Sequence, residues 1–176
     1  MEFLRFESNH LREHLEKLSP QARVAFALAC SLRTAAGQPQ AEPMVVAARE
    51  LAEEYALNGS LEPAVAHKLL AQLWESPELD RDDAASAYYA LESALKDNVE
   101  SVIWAAQRAY DARDTEAQAT LTFSIFTKEI EETLILHPAV QKELRSQLAD
   151  IDTLLTSASN IRHVIHHARS EGPDGG

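Results

Sequence analysis

The chain has 176 residues, 45% of them hydrophobic and 25% charged, a size and balance that suit one globular domain and exclude a disordered polymer. Its 28 acidic side chains outnumber 16 basic ones, giving a net charge of −12. With no run of Lys or Arg in the sequence, that charge opposes binding to nucleic acid or to an anionic membrane. Cys30 is the only cysteine, so an internal disulfide and a cysteine-rich zinc site are excluded.

Met1 to Leu18 reads as a first helix, with Phe3, Leu4, Leu11, Leu15 and Leu18 on one stripe and a weak point near Ser8 and Asn9. This opening lacks the apolar core of a secretory signal, which with the lone cysteine predicts a cytoplasmic protein. Ser19-Pro20 is a start signal: serine caps, and proline in the first turn loses no needed hydrogen bond. The second helix runs to about Ala36, carrying Val24, Phe26, Leu28 and Leu32. Its apolar run, Val24 to Cys30, is too short to span a bilayer. Gly37 ends it, and Gln38 to Glu42 reads as a loop. Pro43 opens a third helix that stops at Asn58-Gly59, a pair suited to a left-handed turn. Ser60 is expected to cap a fourth helix, Leu61 to Glu75, with Leu69, Leu70, Leu73 and Trp74 buried. Ser76 to Asp83 reads as a mobile acidic loop.

A long fifth helix is expected from about Asp83 to Tyr110, with Leu91, Leu95, Val99, Val102 and Ala106 as its packing seam. Asp114 would cap a sixth, carrying Leu121, Ile125, Phe126, Ile130 and Leu134. His137-Pro138 forces a break, because the residue before proline avoids helical geometry. The seventh shows Val140, Leu144, Leu148, Ile151 and Leu155, kinks near Ser157 to Asn160, and continues through Ile161 and Ile165. Outside the C-terminal tail only Gly37 and Gly59 occur, too few glycines for a phosphate-cradling loop or for sheet turns. Together these features predict an all-α fold, a compact bundle of six to seven mostly antiparallel helices. They form a single domain over residues 1–169, followed by a disordered tail over 170–176.

Leu15-Glu16-Lys17-Leu18, then Gln21 and Val24-Ala25-Phe26-Ala27, resemble the opening of the bacterial YjaG-like family, domain of unknown function 416. The resemblance continues at Leu73-Trp74-Glu75, the acidic loop and Tyr88 to Leu95, and closes with Pro138-Ala139-Val140 and Glu143. It implies an all-helical bacterial protein without an assigned activity, cofactor or catalytic residue. The family tends to follow its second helix with an acidic residue, an arginine and an aromatic segment. Here Leu32-Arg33-Thr34-Ala35-Ala36-Gly37 stands instead, a departure that argues against a shared site there.

Seven histidines raise the question of metal. His163 and His167 lie four apart, so both imidazoles can face one ion from a single helix, and His10 and His14 share that spacing. Zinc needs three or four ligands, and no acid or cysteine stands at a matching position beside His163. The pair reads as incidental, with His163 and His167 the only metal candidates. A di-iron bundle needs two Glu-x-x-His pairs, and only Glu7 to His10 has the spacing. The carboxylate pairs Glu53-Glu54, Asp82-Asp83 and Glu131-Glu132 point in divergent directions along a helix and read as solvated faces. No catalytic residue, no cofactor and no nucleotide motif is expected.

Trp74, Tyr88, Tyr89, Trp104 and Tyr110 are the informative remainder, serving as core or as part of an interface. Tyr89, Ile103 and Trp104 lie off the main seam and need a second surface. The expectation is therefore a non-catalytic interaction or accessory protein that self-associates as a homo-oligomer. The alternative is a small-molecule-binding or enzymatic bundle, with an interhelical pocket into which Glu92 or His67 reaches. A nucleic-acid regulator or an acidic DNA mimic fits poorly, since the acids are dispersed.

Overall fold

A computed structural model describes residues 4–35, 41–122 and 127–171. Among these residues there are helices and no strand, as the glycine-poor, alanine- and leucine-rich sequence requires. The α-helices are α1 (Ser8–Leu15), α2 (Pro20–Thr34), α3 (Pro43–Asn58), α4 (Pro63–Trp74), α5 (Asp82–Lys96), α6 (Val99–Thr120), α7 (Lys128–Ile135), α8 (Pro138–Thr156) and α9 (Ile161–Ser170). Short 3-10 turns occupy Pro77–Asp80 and Ala158–Asn160. No helix is long and apolar enough to cross a membrane, among the described residues.

Several starts and stops follow the expected chemistry. The Ser19 hydroxyl accepts the Ala22 N–H at 3.2 Å ahead of Pro20. Gly59 closes α3 in the left-handed region at φ 68°, where its N–H reaches the Tyr55 carbonyl. Pro138 opens α8 after an extended His137.

Four expectations are corrected. The described residues hold nine α-helices instead of six or seven, because two long helices are each broken in two. The fifth turns at Asp97, among the described residues the only non-glycine with positive φ (47°), and Asn98 then caps α6 by accepting the Ser101 N–H. The leucine and valine spacing runs through this turn unaltered, so periodicity alone conceals it. At the other break, Ser157 leaves helical geometry and caps the 3-10 turn before α9. Asp114 caps nothing: it lies within α6, where it accepts from Gln118. Ser60 yields the cap of α4 to Glu62, with Pro63 next. The acidic Ser76–Asp83 stretch is structured as well. Its 3-10 turn is capped by Ser76, and Arg81 holds Glu78 at 3.0 Å and both carboxylate oxygens of Asp83 at 3.0 and 3.1 Å.

The first helix begins only at Ser8, and residues 4–7 form an extended arm. Phe3, Gly37, Gln38 to Gln40, Ile125, Phe126 and tail residues 172–176 lie outside the described residues, whereas Ser170 closes α9.

α2 is the central rod, packed by α3, α5, α6, α8 and α9. It is buried nearly all round, which is why its sequence is apolar on every face. Phe26, Leu28 and Val24 fill its surroundings, while Ala25, Ala29, Ala87, Ala90, Ala105 and Ala106 let the rods approach closely. The Ser86 hydroxyl even reaches across from α5 to the Ala105 carbonyl of α6, at 3.1 Å. A second apolar cluster, Val45, Leu69, Leu70, Leu73 and Leu91, joins α3, α4 and α5. A third, Ala117, Leu134, Val140 and Leu144, joins α6, α7 and α8 and receives Leu4 and Phe6 of the arm.

Candidate functional site

Three features rise above ordinary packing. The first is a buried charge cluster between α2 and α8. Arg33 is 3% exposed, and its fork takes both oxygens of Glu143 (Nε–Oε2 3.0 Å, Nη2–Oε1 3.2 Å) while Nη1 takes Asp150 Oδ2 at 2.6 Å. Gln147, one turn along from Glu143, donates to Glu143 Oε1 at 3.0 Å and to the Ala106 carbonyl at 3.1 Å. α8 thus carries two opposed patterns. Val140, Leu144, Ile151 and Leu154 are buried, and so are Gln141, Glu143, Gln147 and Asp150.

Burial by itself would lower the Arg33 value, but the adjoining Glu143 and Asp150 drive it well above the ordinary guanidinium value. Burial raises the Cys30 thiol far above its usual range, so the sulfur beside Arg33 (3.7 Å) is a neutral thiol and not a nucleophile. A cavity of about 180 Å³ adjoins the cluster, lined by Arg33, Arg113, Lys142, Glu143 and Glu171 among others. Arg113 is already committed there, donating to the Arg33 carbonyl and pairing with Glu116. Arg33, Glu143, Gln147 and Asp150 satisfy one another as an internal staple, whereas Glu171 at its edge keeps Oε2 buried without a hydrogen bond from the described residues, 3.9 Å from Arg33 Nη1.

Asp150 gives the staple a pH signature. Desolvation lifts its carboxyl above the ordinary value of 3.8 despite Arg33. The folded chain therefore binds this proton at pH values where the unfolded chain has lost it, so the carboxyl lowers stability as pH rises from 3.8 through its native value. Asp150→Asn, which cannot ionise, is expected to remove that slope. Urea midpoints of both proteins between pH 4 and neutrality, in ~1-unit steps, check it: the wild-type advantage at low pH must vanish in the variant.

The second feature is aromatic and exposed. Trp74 of α4, Tyr88 and Tyr89 of α5 and Trp104 of α6 form a ladder, with centroids 5.9, 5.3 and 6.1 Å apart in that order. Tyr88 is buried, but Trp74 is 65% and Trp104 50% exposed. Trp74 is thus no core residue, contrary to the sequence expectation. It sits at the last residue of α4, beyond the Leu69-Leu70-Leu73 contact with α5. Ile103, in contrast, is buried within the chain. Glu92 lies beneath the ladder and accepts from Tyr88, Lys96 and Ser101. Burial and Glu92 push the Tyr88 hydroxyl up to about 12, so it stays a neutral donor. His67 is exposed, and together with Glu92 it lines a cavity of about 280 Å³ between α4 and α5, beside Trp74 and Tyr88.

The third feature is a pocket of about 130 Å³ under the N-terminal arm, between α1 and α8, whose apolar wall of leucines, Phe6 and Ile151 is edged by Arg5, Glu7, His10, His14 and Gln147. His10 and His14 stand at it edge to face, 4.6 Å apart.

The remaining sequence candidates are scattered. His163 and His167 lie side by side on the exposed face of α9, with rings 6.3 Å apart, and Glu171 Oε2 is 3.8 Å from His167 Nδ1. Among the described residues no group of three or more His, Cys, Asp or Glu side chains is gathered to hold a metal ion. Glu53 pairs with Arg169, Asp82 with Arg108 and Asp83 with Arg81, while Glu131 and Glu132 are exposed on α7. The Arg33 cluster was missed in the sequence. Its signal is a lone arginine near the end of a helix apolar on all faces, together with Glu143, Gln147 and Asp150 at helical steps of four and three. Against protein-family models, curated proteins and solved structures alike, the chain finds no match.

Proposed function

We propose that this is a non-catalytic interaction protein that self-associates through the aromatic face of α4, α5 and α6. The observation carrying the reading is the pair of half-exposed tryptophans at the two ends of one ring ladder. Tryptophan left in water forgoes a large burial free energy, and it is among the residues that dominate protein interfaces. Several charges beside the ladder are already paired: Glu92 with Lys96, Asp82 with Arg108, and Glu100 with Arg12. A chain of net charge −12 repels its own copy over most of its surface, and a face with mostly paired flanks is where two copies can meet. A two-fold pairing needs only one self-complementary patch. The YjaG-like resemblance and a cytoplasmic setting belong to the same reading, and neither supplies a reaction.

Light scattering at micromolar concentration tests it. The wild-type chain is expected to run as a dimer and Trp74→Ala/Trp104→Ala as a monomer with unchanged helicity. A monomeric wild type, or a dimer indifferent to both substitutions, defeats the proposal.

A further inference from the structure

We infer that the pocket beneath the arm is a binding site for a small, uncharged, ring-sized molecule bearing one hydrogen-bond donor, of the phenol class. This site is separate from the aromatic face and does not depend on it. Its volume of about 130 Å³ is close to the ~150 Å³ of apolar cavities that hold benzene. The apolar lining comes from three directions: Leu4 and Phe6 of the arm, Leu11 of α1, and Leu144, Leu148 and Ile151 of α8. Leu148 in the lining is 37% exposed, as expected of a side chain at an unfilled lip.

One polar group in that lining is left over. Gln147 is 4% exposed and gives its amide N–H groups to Ala106 and Glu143, away from solvent. Its Oε1 accepts no hydrogen bond from the described residues, and Gln147 lines the pocket. An acceptor fixed in place by two donated bonds beside an apolar wall selects a donor with an apolar body.

The balance of charge around the pocket favours a neutral ligand. A carboxylate would meet an oxygen that can only accept. Glu143, beside Gln147, is outside the lining and already accepts from Arg33 and Gln147, so an ammonium would find only Glu7, with Arg5 close by in the arm. Arg5 and Glu7 put one charge of each sign in the lining, and His14 has one ring nitrogen occupied by the His10 carbonyl at 2.9 Å.

The arm wall is latched in a specific way. Gln141 of α8 accepts the Leu4 N–H at 3.0 Å and donates to the Leu4 carbonyl at 2.8 Å, so one side-chain amide imitates a strand pairing. Phe6 is further seated on Tyr110, with centroids 5.5 Å apart. These contacts hold the pocket's shape before any ligand arrives, which favours binding by reducing the ordering cost.

Methyl NMR of the full chain, titrated with phenol at millimolar concentration, tests the inference. Phenol is expected to shift Leu11, Leu144, Leu148 and Ile151 saturably, whereas benzoate leaves them unmoved. Gln147→Met should weaken phenol about tenfold, the worth of one hydrogen bond, and leave toluene, which has no donor, unchanged. Should that variant fail to fold, Leu148→Trp at the exposed lip fills the pocket and must abolish the phenol shifts with helicity intact. The inference is overturned if phenol moves only the aromatic-face signals or none, or if benzoate binds as well as phenol.

Discussion

Arg33→Met is expected to destabilise the fold by about 3–5 kcal/mol, because the substitution leaves Glu143 and Asp150 buried without their cation. The arginine is not worth that much as a net attraction. Desolvating a guanidinium and two carboxylates offsets most of what their pairing returns, and the loss measures the penalty on the charges left behind. A companion variant separates the two ideas. Arg33→Met combined with Glu143→Gln and Asp150→Asn removes every buried charge of the set, and it should regain most of the stability lost by the single substitution. Urea denaturation monitored by circular dichroism reads both. A single-variant loss under about 1 kcal/mol, the level of an exposed ion pair, would mean that water reaches the cluster.

Phe26→Ala is the other large effect, about 3–5 kcal/mol, since the ring is wholly buried on the central helix and its removal opens a cavity there. In a domain of this size each kcal/mol moves the melting temperature by about 2–4 °C, so thermal unfolding resolves the loss easily. Leu155→Ala, at a side chain 39% exposed, serves as the internal comparison and should be close to neutral. Equal losses at the two positions would contradict the central placement of α2.

The helical class was readable because the signals for it are local. Apolar spacing, Ser19-Pro20, Asn58-Gly59 and His137-Pro138 each act within a turn or two, and each produced the boundary its chemistry demands. The break at Asp97 was not readable, since an aspartate in left-handed geometry carries no signature that a surface aspartate lacks. It is held there by Arg23, 74 positions earlier, whose Nη2 meets its carboxylate at 2.6 Å. The tryptophans illustrate a different gap. Spacing says that Trp74 shares a face with Leu70, but which part of that face another helix covers is a matter of where α4 ends. The Arg33 cluster is the clearest case: Arg33 lies 110 and 117 positions from Glu143 and Asp150, and meets them only once α8 lies against α2.

The alanines between α2, α5 and α6 carry a consequence of their own. Where methyl groups alone separate two backbones, spacing is set by main chain against main chain, and no side chain is available to shrink or swivel. Such a seam forgives trimming and resists enlargement, so one added branch at Ala87 or Ala105 would pry the rods apart along their length. Drift in this interior is therefore expected to run toward glycine or serine, with bulk gathering only at the rims.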